Sequence, residues 1–164
     1  MPDRTRLGRC GATALAVVLA LPLLAGCGYF RNDDEGEGVS VFKIEPGQCF
    51  EGQGEVKAQL SKLTEVDCDQ DHAQESYAVV PYVSDTGEAA DTYPGDDALA
   101  KFANGACAGE YGKYVGVDYL DSKLFYTYLL PSARSWENED DRSVICFVTS
   151  AGEPLQGSVK GSKR

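Results

Sequence analysis

The sequence predicts an α+β domain in which a mostly antiparallel sheet is covered by one main helix and cross-linked by two disulfides. Strand-like segments stand on both sides of a single long segment with helical spacing. Four cysteines, an even number, remain once Cys10 in the N-terminal segment and Cys27 directly after it are set aside. That segment, residues 1–26, reads as an export signal and leaves 138 residues, a length that suits one domain.

The first half of the domain is expected to contribute three strands. Residues 39–44 have strand-like composition and stop at the turn signal Pro46-Gly47. Residues 63–67 and 76–83 are rich in β-branched and aromatic side chains. Because proline cannot donate to a sheet ladder, Pro81 predicts that the last of these is an edge strand or ends early.

The clearest helix is predicted over residues 93–115. Its apolar residues fall at spacings of three and four: Leu99, Phe102, Ala103, Ala106, Cys107, Tyr111 and Tyr114. Pro94 and the carboxylates of Asp96 and Asp97 suit its first turn, where proline is tolerated and negative charge meets the positive end of the helix dipole. Cys107 lies on the apolar face and should point at the sheet.

The second half is expected to add the strongest strands, residues 124–130 and 144–149, with residues 136–141 between them as an acidic loop. Alternation places two sets of side chains on common faces: Tyr126, Tyr128 and Leu130, and then Val144, Cys146 and Val148. A short last strand is predicted over residues 155–159.

The N-terminus carries the pattern of a lipoprotein signal. Three arginines precede an uncharged apolar run, and the run ends in Leu24-Ala25-Gly26-Cys27. We expect cleavage before Cys27 and acylation of that cysteine, which would anchor the protein to the extracytoplasmic face of the cell membrane. Residues 27–40 would then form a flexible acidic tether. A plain secretory signal or a retained anchor is the alternative, although the apolar run is short for a spanning helix.

Two of the six cysteines drop out of the disulfide count, because Cys10 leaves with the signal and Cys27 is acylated. The remaining four are Cys49, Cys68, Cys107 and Cys146. In an exported domain these imply two disulfides with three possible connectivities, of which we predict the sequential one, Cys49–Cys68 and Cys107–Cys146. A zinc site is disfavoured because the CxxC spacing is absent, and no metal or cofactor is expected.

Charge excludes some partners. Removing residues 1–26, which carry three arginines and one aspartate, leaves a formal charge of −13. Such a surface repels nucleic acid and anionic headgroups, so the membrane is expected to be reached through the lipid alone. The basic tail, residues 162–164, is expected to be solvated.

Catalytic signals are weak. His72 is the only histidine, and the sequence contains no serine-nucleophile motif. Asp67, Asp69 and Asp71 alternate like the start of a calcium loop but lack its glycine and its final glutamate. The residues therefore predict no catalytic group and no metal ligand. An enzyme using His72 with nearby carboxylates, on wall or glycan substrates, is the alternative.

The chain resembles the septum-formation domain family of actinobacterial envelope proteins over residues 41–161. The residues that carry the resemblance are Pro46-Gly47-Gln48-Cys49-Phe50, Val66-Asp67-Cys68, His72, Glu75, Tyr77-Ala78-Val79-Val80, Tyr93-Pro94-Gly95, Cys107, Tyr114-Val115-Gly116, Pro131-Ser132, Trp136, Arg142, Val144, Cys146 and Gly157-Ser158-Val159-Lys160-Gly161. Two features depart from the family's pattern: Asp71 replaces a proline before the histidine, and the loop from Glu137 to Asp141 is longer and lacks glycine.

The resemblance implies an envelope role connected with septum formation and carries over no catalytic residue. The resemblance offers three candidates for partner contact or for a structural motif: His72, Trp136 and Arg142. The leading hypothesis is a non-catalytic, lipid-anchored interaction domain that contacts an envelope protein or a wall polymer. A solute-binding lipoprotein is disfavoured, because 138 residues are too few for two lobes.

Overall fold

The structure, a computed structural model, describes residues 38–52 and 60–164. The predicted signal segment, Cys27 and most of the predicted tether lie outside the described residues. No helix within these ranges combines the length and the hydrophobicity that crossing a bilayer requires.

The described chain forms seven strands, two α-helices and two short 3-10 helices. In chain order they are β1 (Val39–Ser40), a 3-10 helix (Val41–Lys43), β2 (Cys49–Phe50), β3 (Lys62–Leu63), β4 (Glu65–Val66), β5 (Gln74–Pro81), α1 (Asp96–Val115), a 3-10 helix (Tyr119–Asp121), β6 (Phe125–Leu129), α2 (Ala133–Asn138) and β7 (Ser143–Thr149).

The main sheet has five strands in the order β4-β2-β5-β7-β6, and every pair in it is antiparallel. Strand β7 is buried along its centre because both of its faces are covered. Val144, Cys146 and Val148 face α1, whereas Ile145 and Phe147 face a smaller cluster under the β1-β3 ribbon. The predicted α+β class, with one main helix on an antiparallel sheet, is confirmed.

Helix α1 packs one apolar stripe on the sheet. Its buried residues recur every four positions: Leu99, Ala103, Cys107, Tyr111 and Val115. The helix begins at Asp96, after Pro94-Gly95 rather than including them. It ends at Gly116, whose φ of +88° is the left-handed conformation that glycine adopts without strain.

Two disulfides cross-link the domain, and their pairing is the predicted sequential one. Cys107–Cys146 joins α1 to β7, with Cα atoms 5.6 Å apart. Cys49–Cys68 joins β2 to the residues that follow β4, with Cα atoms 5.2 Å apart. Cys107, Cys146 and Cys49 are fully buried, whereas Cys68 is partly exposed.

Several predicted strands differ from the structure. The predicted strand 39–44 is only two residues long, because a 3-10 helix follows β1 directly. The predicted strand 63–67 is broken at Thr64 into β3 and β4. The predicted strand 155–159 is absent, since Leu155 makes only an isolated bridge with His72.

Pro81 predicts an edge strand or an early end, and the structure has the second of these. Strand β5 lies in the centre of the sheet and ends at Pro81, opposite Ser143. Proline is accommodated there because the last position of a strand can do without one ladder hydrogen bond.

The predicted acidic loop 136–141 was also wrong in its first half. Trp136 lies in the short helix α2, which Ser132 and Ser135 start with reciprocal hydrogen bonds between side chain and backbone. The motif escaped sequence reasoning because serine occupies the position where this capping box usually has glutamate or glutamine.

The two disulfides should differ in how much they stabilise the domain. Loop-closure entropy grows with loop length, and the sequence separations are 39 for Cys107–Cys146 and 19 for Cys49–Cys68. Replacing both cysteines by alanine should lower the free energy of unfolding by about 4 kcal/mol for the first pair and about 3 kcal/mol for the second. Urea denaturation of the two double variants measures this, and a larger loss from the Cys49–Cys68 pair would contradict it.

Candidate functional site

The three residues singled out from the sequence do not form one site. His72 lies just before β5 at one end of the β5-β7 pair, whereas Arg142 lies at the other end, where its carbonyl accepts from the backbone N–H of Tyr82. Ten residues of extended chain span roughly 30 Å. Trp136 and Arg142 therefore belong to one cluster and His72 to another.

Trp136 is a core residue. Its ring is buried and meets the rings of Tyr82 and Tyr93 edge-on, with both centroids 5.8 Å away. Its indole N–H donates to the carbonyl of Asp91 at 3.1 Å, so its polar atom is satisfied within the protein. These contacts give Trp136 a packing role and leave no free ring face for a partner.

Arg142 packs against the same cluster and stabilises it. Its guanidinium lies 4.3 Å from the centroid of the Trp136 ring and donates to the Trp136 carbonyl. Its ion pair with the exposed carboxylate of Asp140 is 3.5 Å long, which in water contributes little. Arg142 is therefore held mainly by stacking on Trp136.

His72 forms part of a buried polar cluster with Glu75. Both side chains have 0% exposure, and His72 Nε2 lies 4.0 Å from Glu75 Oε2. The other ring nitrogen, Nδ1, lies 2.8 Å from the Gln70 carbonyl and must donate to it, because a carbonyl oxygen only accepts. In the neutral ring, Nε2 then carries a lone pair and has no partner among the described residues.

Glu75 is the residue that sequence reasoning passed over as a site residue. Its carboxylate accepts three hydrogen bonds from two segments that are distant in sequence. One donor is Tyr114 on α1, and the other two are Ser158 and Val159, which follow β7. Their distances are 2.6 Å, 2.7 Å and 2.7 Å. Burial and the neighbouring Glu75 carboxylate raise the pKa of Tyr114 well above that of a free tyrosine. A glutamate directly before a strand-like run was the available signal.

The cluster also includes Cys49. Strand register places Cys49 directly opposite Glu75, so their side chains share one face of the sheet. The Cys49 sulfur, His72 Nε2 and a Glu75 oxygen lie within 4.8 Å of one another, and in the part of the chain that the structure describes no other three Cys, His, Asp or Glu residues do so. The three aspartates that resemble the start of a calcium loop are therefore not brought together.

A cavity of about 420 Å³ lies beside this cluster, between the residues that follow β2 and those that follow β7. Glu51, Asp71 and Glu153 are among its lining residues, together with His72. The His72 ring itself is sealed from it, because the side chain has no exposed area.

The second candidate is an open groove on the sheet face opposite α1, which we call the β6-α2 groove. It encloses about 420 Å³ and is lined by Val41, Phe42, Leu60, Ser61, Leu129, Leu130, Ser132, Arg134, Ser135, Glu139, Asp141, Ser143 and Ile145. The apolar side chains of its wall come from the first part of the domain (Val41, Phe42 and Leu60) and from the second part (Leu129, Leu130 and Ile145). Helix α2 supplies a polar rim. Arg134 on this rim is exposed and pairs with no carboxylate among the described residues.

Asp141 gives the groove a partly buried carboxyl group. Burial raises its pKa, and the Ser135 hydroxyl that donates to it at 2.9 Å offsets part of this rise. Burial and hydrogen bonding therefore act in opposite directions here, and burial dominates.

This balance predicts the pH dependence of an Asp141→Asn variant. A carboxyl group with a raised folded-state pKa contributes stability that is present at low pH and lost as the pH rises through that pKa. Asparagine accepts the same serine hydrogen bond but does not ionise. The variant should therefore gain stability relative to the wild type as the pH rises above about 4, the ordinary pKa of an aspartate.

Urea midpoints across this range measure the gain, and Asp140→Asn serves as the matched control. Asp140 is the neighbouring carboxylate and its side chain is 93% exposed. A difference between Asp141→Asn and wild type that stays constant with pH would contradict the prediction.

A family model described as septum formation matches residues 46–162. The match covers both clusters and all four disulfide cysteines. No curated protein and no solved structure gives a significant match to the chain. Because the family model spans well over half of the sequence, the chain belongs to the septum formation family.

Proposed function

We propose that the protein is a non-catalytic interaction domain that serves septum formation from the extracytoplasmic face of the membrane, where the acylated Cys27 anchors it. Membership of the septum formation family supports an envelope or cell-division role. That family is not a known family of enzymes. The lipoprotein signal ending in Cys27 supports the anchor.

One observation carries the non-catalytic part of this proposal. The only histidine in the sequence, His72, has a fully buried side chain, and the carboxylate that faces it is buried as well. A general base must come within hydrogen-bond reach of the proton that it removes. The alternative, an enzyme on wall or glycan substrates, therefore requires His72 to be uncovered first.

The β6-α2 groove is the contact surface that best suits this function. Phe42 on its wall is 51% exposed, and Arg134 adds a positive charge without a paired carboxylate among the described residues. An apolar wall beside a cation suits an apolar group that carries a carboxylate. Such groups occur in an envelope protein and in the peptide part of a wall polymer.

The anchor is tested by replacing the predicted lipid-bearing cysteine. Cys27→Ser should abolish incorporation of labelled fatty acid and move the protein out of the membrane fraction, because the serine hydroxyl does not replace the thiol as lipid acceptor. Cys10→Ser is the matched control, since Cys10 lies in the segment expected to be removed. Retention of label by Cys27→Ser would contradict the anchor.

The groove is tested by crosslinking in intact cells. A photo-crosslinking residue at position 42 should capture a partner, whereas one at position 120 should not. Leu120 is the matched control, because it is a large apolar residue that is 77% exposed and does not line the groove. Mass spectrometry of the captured material distinguishes a protein from a wall fragment.

Charge recognition is tested in the same experiment. Arg134→Ala should lower the crosslink yield at position 42 by about two- to fivefold, the range expected for a surface ion pair. Equal capture from positions 42 and 120 would contradict the groove without bearing on the anchor.

A further inference from the structure

We propose that Cys49, His72 and Glu75 form a redox-gated site for a zinc-class divalent cation, which is closed while the Cys49–Cys68 disulfide is intact and opens when a dithiol reduces it. The three side chains offer the sulfur, nitrogen and oxygen ligands that zinc takes in proteins. Their ligand atoms already lie within 4.8 Å of one another.

The unpartnered nitrogen of His72 points to a missing occupant. Nδ1 donates to the Gln70 carbonyl, which fixes the tautomer whose Nε2 lone pair is free to bind a metal. A metal-binding histidine typically donates its other ring N–H to a carbonyl or carboxylate in this way. His72 Nε2 lies 4.0 Å from Glu75 Oε2, so a cation placed between these two atoms would have both as ligands.

Glu75 can bind a cation without giving up its present partners. Oε2 accepts one hydrogen bond, from Val159 N–H, and a carboxylate oxygen has a second lone pair. The Tyr114 and Ser158 hydroxyls hold Oε1 and keep the carboxylate in place. Glu75 would thus be an oxygen ligand that is already oriented. Water would complete a four-coordinate set.

The disulfide controls the third ligand. Cys68 is partly exposed, whereas Cys49 is fully buried, so an attacking dithiol meets the Cys68 sulfur first. Attack on Cys68 breaks the S–S bond and releases Cys49 as a thiolate beside His72 and Glu75. The second thiol of the reductant then displaces Cys68, so that the reductant is oxidised to a disulfide and both cysteines are reduced.

A bound cation would coordinate the Cys49 sulfur that reduction releases. The cation binds Cys49 as a thiolate, so any proton that Cys49 has taken up leaves to solvent and the affinity rises with pH. The second disulfide, Cys107–Cys146, should survive mild reduction, because both of its cysteines are fully buried.

Two single variants test the site without any reductant. Cys68→Ser and Cys49→Ser both remove the same disulfide, but only Cys68→Ser leaves a thiol beside His72 and Glu75. We expect Cys68→Ser to bind about one cobalt(II) or zinc(II) per chain, with the near-ultraviolet charge-transfer absorption of a cobalt-thiolate bond. Cys49→Ser and the oxidised wild type should show no such absorption.

A second change identifies the nitrogen ligand. Adding His72→Gln to Cys68→Ser should weaken zinc binding by about tenfold or more. If Cys68→Ser does not fold, wild type reduced by a dithiol and then dialysed against zinc provides the same measurement by native mass spectrometry. Equal binding by both cysteine variants, or no binding by Cys68→Ser and by the reduced wild type, would overturn the proposal.

Discussion

The buried carboxylate of Glu75 is the constraint on which the arrangement of the domain depends. An ionised carboxylate is costly to remove from water, and here three donors replace its hydration. They bring α1 and the end of the chain onto strand β5, at the point where β2 also pairs. Breaking any of these contacts would leave a charged group partly unsatisfied in the core. Packing alone would hold these segments near one another, and the carboxylate fixes their register.

The sequence predicts the parts of the fold that depend on regular patterns. The spacing of Leu99, Ala103 and Cys107 predicted the buried stripe of α1, and the alternation of Val144, Cys146 and Val148 predicted which face of β7 meets it. The even count of cysteines predicted two disulfides with three possible connectivities, and the structure has the predicted sequential one. These inferences succeeded because periodicity and cysteine number are properties of the sequence itself.

The candidate site was less predictable because it depends on contacts between distant residues. His72 was recognised as unusual, but nothing near it in sequence shows that Tyr114, Ser158 and Val159 surround its partner Glu75. Trp136 was placed in a loop, because the serine capping box of α2 lacks the usual glutamate or glutamine. Pro81 predicted an edge strand or an early end, and only the pairing of β5 with two neighbours shows that the early end applies. Tertiary contacts thus decided the outcome for His72 and Pro81, whereas the start of α2 depends on an unusual local motif.

The position of the donors to Glu75 affects how the protein is made. A chain is synthesised from its N-terminus, so Glu75 is present long before two of its three donors, Ser158 and Val159, which lie 83 and 84 residues further along the sequence. Backbone bonds from Gly161 and Lys163 to the last residues of α1 arrive later still. A chain that stops before residue 158 therefore lacks two of the three donors and leaves the Glu75 carboxylate short of hydrogen bonds in the core. Glu75 thereby makes the completeness of the fold depend on a segment far away in the sequence.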